Sequence, residues 1–165
     1  EANRIRLVET ISGVRNSGDV TWTDNGENRE YSTGSLEEAT QEIRDVLHIA
    51  VPEFYYIPSG MEYSKTYISK ETKLAIIQYH YQEKEIYFRL SANENDLSQS
   101  DWQDSEKIQV QTIDNALNIE MGTISENNEK NYYAKWCYRD AYYELSGQID
   151  KEELMKILNE MQYNL

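Results

Sequence analysis

The sequence is short of several residue types, and each shortage excludes a class of protein. One cysteine among 165 residues allows neither an internal disulfide nor a cysteine-based metal site. Lys and Arg number 16 against 30 Asp and Glu, and the basic residues are not clustered. The net charge of −14 disfavours nucleic acids and anionic membrane surfaces, because both are recognised through grouped positive charge. The sequence contains no run of about 18 apolar residues, so it predicts no transmembrane helix.

Common catalytic motifs are missing as well. The sequence has no G-x-S-x-G, no P-loop and no G-x-G-x-x-G. The two histidines, His48 and His80, lack the spacing to further ligands that a metal site needs. With 30 acids, two carboxylates can be close by chance, so a glycosidase-like pair is only a minor alternative. We expect no enzymatic activity, no catalytic or metal-binding residues and no cofactor.

The histidines and the cysteine have structural explanations. His48 is predicted to end the first helix, where the dipole favours a cation. His80 falls within a predicted strand. Cys137 lies in the strand-like stretch of residues 132–139, and a lone cysteine in a strand is usually a small buried hydrophobe. We therefore expect a buried Cys137 rather than a reactive thiol.

Helix signals occur at two places. Ser35 and Glu38 form an S-x-x-E capping box, followed by apolar residues at three- and four-residue steps up to Leu47. Asp150 opens a second capped stretch, which carries an apolar stripe. We predict one helix of about 13 residues from Ser35 and a closing helix after Asp150.

Between the helices the apolar pattern has a period of two, which is typical of strands. Seven strands are predicted, near residues 61–67, 73–81, 86–90, 108–112, 117–121, 132–138 and 143–145. Residues 92–106 are interpreted as a solvated loop, and residues 122–131 as a turn region. One strand face is aliphatic and the other is richer in Tyr, Gln, Lys and Arg, which is typical of a sheet covered on one side. The fold class is α+β, an antiparallel, twisted or half-curled sheet of about 6–7 strands with the helices packed on one face.

The length and the pattern predict one domain that is preceded by an irregular N-terminal segment. Residues 1–34 are interpreted as an N-terminal arm or extended lead-in segment, with a short strand around Ile5 and Leu7. Residues 35–165 form the predicted single α+β domain.

Three stretches resemble the DUF4367 family. Residues 134–158 contain a Trp-bearing strand, a turn, the strand end Y-E-L-S-G and the acidic-capped helix E-E-L-M-K-I-L. Residues 52–63, P-E-F-Y-Y-I-P-S-G-M-E-Y, are similar to the start of the family's sheet, and residues 76–90 resemble its central hairpin. The resemblance covers about residues 52–163.

The resemblance implies an extracytoplasmic domain of Gram-positive bacteria. Such domains often follow a transmembrane helix in anti-sigma-factor-like proteins, or an export signal. The family pattern contains no catalytic residues, and this sequence shows no zinc-binding His/Cys segment. Because the chain begins at Glu1 without an export signal, we expect secretion or membrane anchoring through a segment that precedes it.

The 14 tyrosines are the most informative excess. Tyrosines are suited to a partly solvent-exposed sheet face, which is the structural explanation. The functional explanation is an exposed face that binds a partner in the cell envelope. Trp102 either plugs the sheet edge or anchors a contact. The candidate partner-binding residues are Tyr79, Tyr81, Tyr87, Trp102, Tyr133 and Tyr142.

Two functional hypotheses follow. The first is a non-enzymatic extracytoplasmic sensory or protein-interaction domain of a bacterial cell-envelope protein. The second is a small-ligand carrier, with a lipid or peptide in a cavity between the curled sheet and the helices. A carrier predicts a sizeable apolar pocket, whereas an interaction domain predicts a filled core and a large exposed aromatic patch.

Overall fold

The computed structural model describes residues 28–31, 34–94, 97 and 102–164, and residues 28–31 by their backbone alone. The predicted strand around Ile5 and Leu7, and most of the predicted arm, lie outside the described residues. Residues 28–31 form a strand that pairs with the domain's sheet, so the sheet extends into the segment interpreted as an arm.

The described part of the chain forms two α-helices and ten β-strands. The helices are α1 (Leu36–Leu47) and α2 (Lys151–Asn159). The strands are β1 (Asn28–Tyr31), β2 (Glu53–Phe54), β3 (Glu62–Ser69), β4 (Leu74–Tyr81), β5 (Lys84–Ser91), β6 (Gln103–Gln111), β7 (Ala116–Glu126), β8 (Glu129–Tyr138), β9 (Ala141–Gly147) and β10 (Met161–Gln162).

Eight strands form one open antiparallel sheet in the order β1-β3-β4-β5-β9-β8-β7-β6, and β2 pairs separately with β10. The sheet consists of two meanders, β3 to β5 and β6 to β9, which join where β5 lies beside β9. The seven predicted strands correspond to β3 through β9. The predicted α+β class with an antiparallel sheet is therefore confirmed, and β1 adds an eighth strand.

Local sequence explains both helix starts. Ser35 Oγ accepts from the Glu38 amide at 3.0 Å, and the Glu38 carboxylate accepts from the Ser35 amide at 3.2 Å. This reciprocal pair is the predicted capping box. Asp150 caps α2 through a single bond, in which its carboxylate accepts from the Glu153 amide at 2.9 Å. At the other end of α1, His48 is the C-cap in the left-handed conformation, as its predicted position at the helix end requires.

Both helices pack on the same face of the main sheet. One buried cluster contains residues of α1, of α2 and of alternate strand positions: Ile43, Leu47, Leu154, Ile157, Ile77, Phe88 and Leu145. An aromatic row crosses this face under the helices. The Phe88 ring centroid lies 5.0 Å from Phe54, 6.0 Å from Trp136 and 6.2 Å from Tyr143. These rings supply the buried area for which the sequence has few aliphatic residues.

The opposite face of the sheet is also buried along β3, β4, β5 and β9. Its side chains include Tyr67, Leu74, Ile76, Arg89 and Glu144, each 0–1% exposed. Arg89 Nη1 donates to Glu144 Oε2 at 2.9 Å. The prediction of a sheet covered on one side is wrong for these strands. The charged residues Arg89 and Glu144 suggested a face exposed to solvent, but both can be buried because their opposite charges are paired.

Two loop predictions need correction. Strand β6 begins at Gln103, inside the stretch interpreted as a solvated loop, and Leu97 of that stretch is 4% exposed. Strand β7 runs to Glu126 and β8 starts at Glu129, so the predicted turn region narrows to Asn127 and Asn128. β6 is an edge strand, and both of its faces are exposed to solvent at its start. Its sequence there is polar throughout and shows no alternation of apolar and polar residues.

The β4–β5 hairpin carries backbone strain that a substitution can relieve. Gln82 and Glu83 form its two-residue turn with φ of 52° and 63°, a pairing of positive φ values that favours Asn-Gly. We expect Gln82→Asn/Glu83→Gly to raise the free energy of unfolding by about 1–2 kcal/mol. Urea denaturation measures the gain. Asn128→Gly is the control and gains less, because Asn tolerates the left-handed region. Equal gains at both turns would contradict the strain argument.

Asp114 fastens the C-terminal segment to the β6–β7 turn. Its carboxylate accepts from the amides of Tyr163 at 3.1 Å and Asn164 at 2.7 Å. Partial burial opposes ionisation, but these amides more than offset it, so the pKa of the Asp114 carboxyl is lowered. Because the folded pKa is below the unfolded one, the carboxylate stabilises the fold at neutral pH. That contribution is lost as pH falls through the folded pKa.

We expect Asp114→Asn to lower the free energy of unfolding at pH 7 by about 1 kcal/mol. The difference from the unsubstituted protein should shrink as pH falls below about 4. Urea unfolding at a series of pH values checks both statements. A difference that grows on acidification would contradict the assigned direction of the pKa shift.

Candidate functional site

A groove of about 470 Å³ lies between α1, residues 52–57 and the helix-covered face of β4 and β5. We call it the α1 groove. It is lined by Leu36, Glu37, Thr40, Gln41, Arg44, Pro52, Glu53, Phe54, Ile57, Ile77, Tyr79 and Phe88. Its volume is within the range of about 300–1,000 Å³ that is usual for ligand sites.

The wall of the groove is one flank of α1. The apolar stripe of α1 faces the core and consists of Ala39, Ile43 and Leu47. The adjacent flank of the helix, with Thr40 and Arg44, therefore borders the groove. Arg44 Nη2 donates to the Val51 carbonyl at 3.1 Å. This bond holds the chain at Val51, directly before the opposite wall begins.

The floor of the groove is apolar and rigid. Ile77, Tyr79 and Phe88 come from neighbouring strands of the sheet, and each is at most 3% exposed. Burial, with a smaller contribution from Tyr63, raises the pKa of the Tyr79 hydroxyl well above its ordinary value. Tyr79 therefore stays neutral and acts as part of an apolar surface.

One large exposed hydrophobic side chain, Ile57, lines the groove. Among the described residues the large exposed hydrophobic side chains are Tyr55, Ile57 and Ile113, which are 55%, 38% and 43% exposed. Tyr55 and Ile57 both lie between β2 and β3, but only Ile57 lines the groove, whereas Tyr55 borders a separate recess beside Lys156 and Glu160. Tyr56, between them, donates to the Glu153 carboxylate of α2. That bond and partial burial raise the pKa of Tyr56 to about 12, so the segment is pinned to α2 at this point.

The structure does not bring the six candidate partner-binding residues together. Tyr79 and Tyr81 lie on the helix-covered face, and Tyr79 alone lines the α1 groove. Tyr87 and Tyr133 are on the opposite face and are 3% and 2% exposed, so they offer little area to a partner. Tyr142 is half-buried.

Trp102 packs onto the sheet and does not project from it. An added Cβ at Gly122 would lie 2.7 Å from Trp102 Cε3, so the glycine makes room for the indole. The ring centroid is 5.4 Å from that of Tyr133, and Lys135 Nζ lies 5.1 Å from the indole centroid. These contacts favour the interpretation of Trp102 as a plug over the end of the sheet.

The histidines and the cysteine are not part of the groove. His80 is exposed, with Nδ1 3.1 Å from the Glu85 carboxylate. Cys137 is exposed, so the prediction of a buried thiol is wrong. Cys137 follows the buried Trp136 in β8, so its side chain is on the opposite face of the sheet. That face is exposed to solvent near the end of β8. Partial burial and the charges of Glu94 and Asp140 raise the pKa of the Cys137 thiol. Among the described residues no three His, Cys, Asp or Glu side chains are grouped to hold a metal ion.

Most of the residues that line the groove cannot be linked to one another from the sequence. The lining comes from three distant stretches, residues 36–44, 52–57 and 77–88, and no pattern along the chain connects them. The aromatic link after Pro52 was the available signal. Phe54 and Ile57 of this link line the groove.

A family model described as "Domain of unknown function (DUF4367)" matches residues 51–161. The chain belongs to the DUF4367 family. The matched range confirms the resemblance noted over about residues 52–163. No curated protein and no solved structure matched the chain.

The DUF4367 match divides the α1 groove. The floor and the wall at residues 52–57 lie inside the matched range, and α1 lies before it.

Across the residues that the structure describes, no helix has the length and apolar character to cross a membrane.

Proposed function

We propose that this DUF4367 domain is a non-enzymatic interaction domain that binds a segment of a protein partner in the α1 groove. The supporting observation is the accessible apolar surface in the lining of this groove, where Leu36 and Phe54 are half-buried and Ile57 is 38% exposed. Accessible apolar surface within a preformed groove is typical of interaction sites. An open groove with polar rims suits a peptide segment, whose backbone needs polar contacts along its length.

The proposal also places the domain outside the membrane, as a sensory part of a bacterial cell-envelope protein. Membership of the DUF4367 family supports this location through the resemblance described above. Protease shaving of intact cells tests it. Release of peptides from residues 35–165 without lysis is the expected result, and peptides seen only after lysis would contradict the location.

The absence of an enzymatic role is part of the proposal. Four titratable side chains line the groove, those of Glu37, Arg44, Glu53 and Tyr79. Arg44 is bound to a backbone carbonyl, and Tyr79 is a buried phenol with a raised pKa. Neither group is set up as a nucleophile with a neighbouring base.

A small-ligand carrier is the second candidate, and the groove's apolar floor is the observation that favours it. A carrier encloses most of its ligand, whereas this groove is open to solvent and has the exposed residues Glu37, Glu53 and Ile57 in its lining. Native mass spectrometry of the protein purified from its own cells distinguishes the two candidates. A stoichiometric lipid that survives purification would favour the carrier over the interaction domain.

Site-specific photo-crosslinking tests the interaction directly. A benzophenone amino acid replaces Ile57 in the full-length protein in its own cells, and Ile113 is the matched control because it is similarly exposed. We expect one defined protein adduct at position 57, identified by mass spectrometry, that is lost when Thr40→Trp fills the groove. Identical adducts at both positions, or none at position 57, would overturn the proposal.

A further inference from the structure

The rims of the α1 groove are acidic where they are open. Glu37 on α1 and Glu53 on β2 stand on opposite walls, and both are exposed. Neither carboxylate forms an ion pair with a Lys or Arg of the described chain, whereas Glu106, Glu129 and Glu144 each do. An exposed unpaired carboxylate at the mouth of an apolar groove is available to a cation that enters with a ligand.

The one cation of the lining does not neutralise these acids. Arg44 is half-buried and its Nη2 donates to the Val51 carbonyl, which holds the guanidinium at the inner end of the wall. α1 as a whole carries Glu37, Glu38, Glu42 and Asp45 against Arg44. Four acids against one base make the helix strongly negative. The whole chain carries −14, so the long-range field also attracts cations.

We propose that the partner segment bound in the α1 groove is a cationic, apolar peptide. Its apolar side chains pack on Leu36, Phe54 and Ile57, the accessible apolar residues of the lining, and a Lys or Arg beside them lies between Glu37 and Glu53. This inference rests on the proposed function and names the chemistry of the partner. Charge complementarity selects a peptide with basic residues, because an acidic segment would bring like charges together at the rims.

The position of Glu37 also bears on specificity. The floor of the groove and Glu53 lie within the DUF4367 match, whereas α1 precedes it at residues 36–47. The family domain therefore contributes most of the apolar lining, and the preceding helix contributes Leu36 and one of the two acidic rims. We infer that α1 is the part of the groove that selects the partner's charge.

Selection from a library of random eight-residue peptides displayed on phage tests the inference. The library is panned on the whole 165-residue chain, and binders retained by Ile57→Asp are removed. We expect the remaining peptides to combine two or more apolar residues with an excess of Lys or Arg. Groove-dependent peptides without that excess would overturn the inference and leave the proposed function in place. If no groove-dependent peptide is enriched, both the inference and the proposed function fail.

A charge reversal then separates the local rims from the overall charge. Glu37→Lys/Glu53→Lys changes the net charge by +4, and Glu71→Lys/Glu83→Lys makes the same change at exposed turns away from the groove. Fluorescence anisotropy with a selected peptide should show an affinity loss of about tenfold or more for the groove variant, equivalent to one logarithmic unit of Kd. Equal losses in both variants would overturn a specific role for Glu37 and Glu53.

Discussion

Replacing Arg89 with methionine is expected to lower the free energy of unfolding by about 3–5 kcal/mol. Arg89 and Glu144 are 1% and 0% exposed, and the Nη1 to Oε2 distance is 2.9 Å. Methionine keeps much of the side-chain volume and removes the charge. The Glu144 carboxylate then stays buried but loses the hydrogen bond and the opposite charge of Arg89, which is costly for a charged group away from water.

A double-mutant cycle separates the loss of the pair from the desolvation of one partner. Glu144→Leu alone should also destabilise strongly, whereas Arg89→Met/Glu144→Leu should lose less than the sum of the two, because the interaction between these two charges can be lost only once. Urea denaturation of the four proteins gives the coupling energy. Lys84→Met is the control, since its partner Glu129 is half exposed, and its effect should stay below about 1 kcal/mol. Additive losses at Arg89 and Glu144 would contradict the interpretation.

Features that depend on neighbouring residues were predicted well from the sequence. The capping box at Ser35 and the cap at Asp150 use side chains three residues from the amides they accept from, so a short window contains the whole interaction. Strands β4 and β5 alternate over eight residues each, and the two-residue turn between them fixes their register. The antiparallel meanders then follow, because short connections make sequence neighbours pair in space.

Burial of the second sheet face could not be predicted because its residue types are ambiguous. Arg89 and Glu144 are 55 positions apart, and each alone indicates solvent. They bury because β5 lies beside β9, a pairing between two meanders that no local pattern specifies. The register Arg89↔Glu144 then places opposite charges side by side.

The candidate site depended on the same long-range arrangement. Tyr79 was predicted as a binding residue because of its aromatic ring. In the structure it lines the α1 groove together with Phe88 of the next strand. The alternation of β4 predicts which face Tyr79 occupies, but it does not show that α1 and residues 52–57 stand apart above that face. Glu37 and Glu53 therefore had no visible connection in the sequence.

Gly147→Ala is expected to lower the free energy of unfolding by about 3 kcal/mol. Gly147 ends β9 in the Y-E-L-S-G stretch by which the chain resembles DUF4367, and its φ is 152°. An added Cβ would lie 2.5 Å from Ile86 Cδ1 and 2.9 Å from the Glu85 carbonyl oxygen. β5 and β9 meet at this point, with Ile86 opposite Gly147, so the clash falls on the junction of the two meanders.

Two further variants separate the crowding at Gly147 from its backbone conformation. Gly60→Ala tests positive φ alone, because φ is 87° there and no atom lies within 4 Å of the added Cβ. Its effect should be about 1 kcal/mol. In an Ile86→Val background, which removes Cδ1, Gly147→Ala should lose less stability than in the unsubstituted protein, but it should still lose more than Gly60→Ala, because the Glu85 carbonyl oxygen cannot withdraw without disturbing β5. Urea denaturation of these proteins decides the question. Equal losses at Gly60 and Gly147 would show that conformation alone selects glycine at the end of β9, and that the close approach of β5 adds nothing.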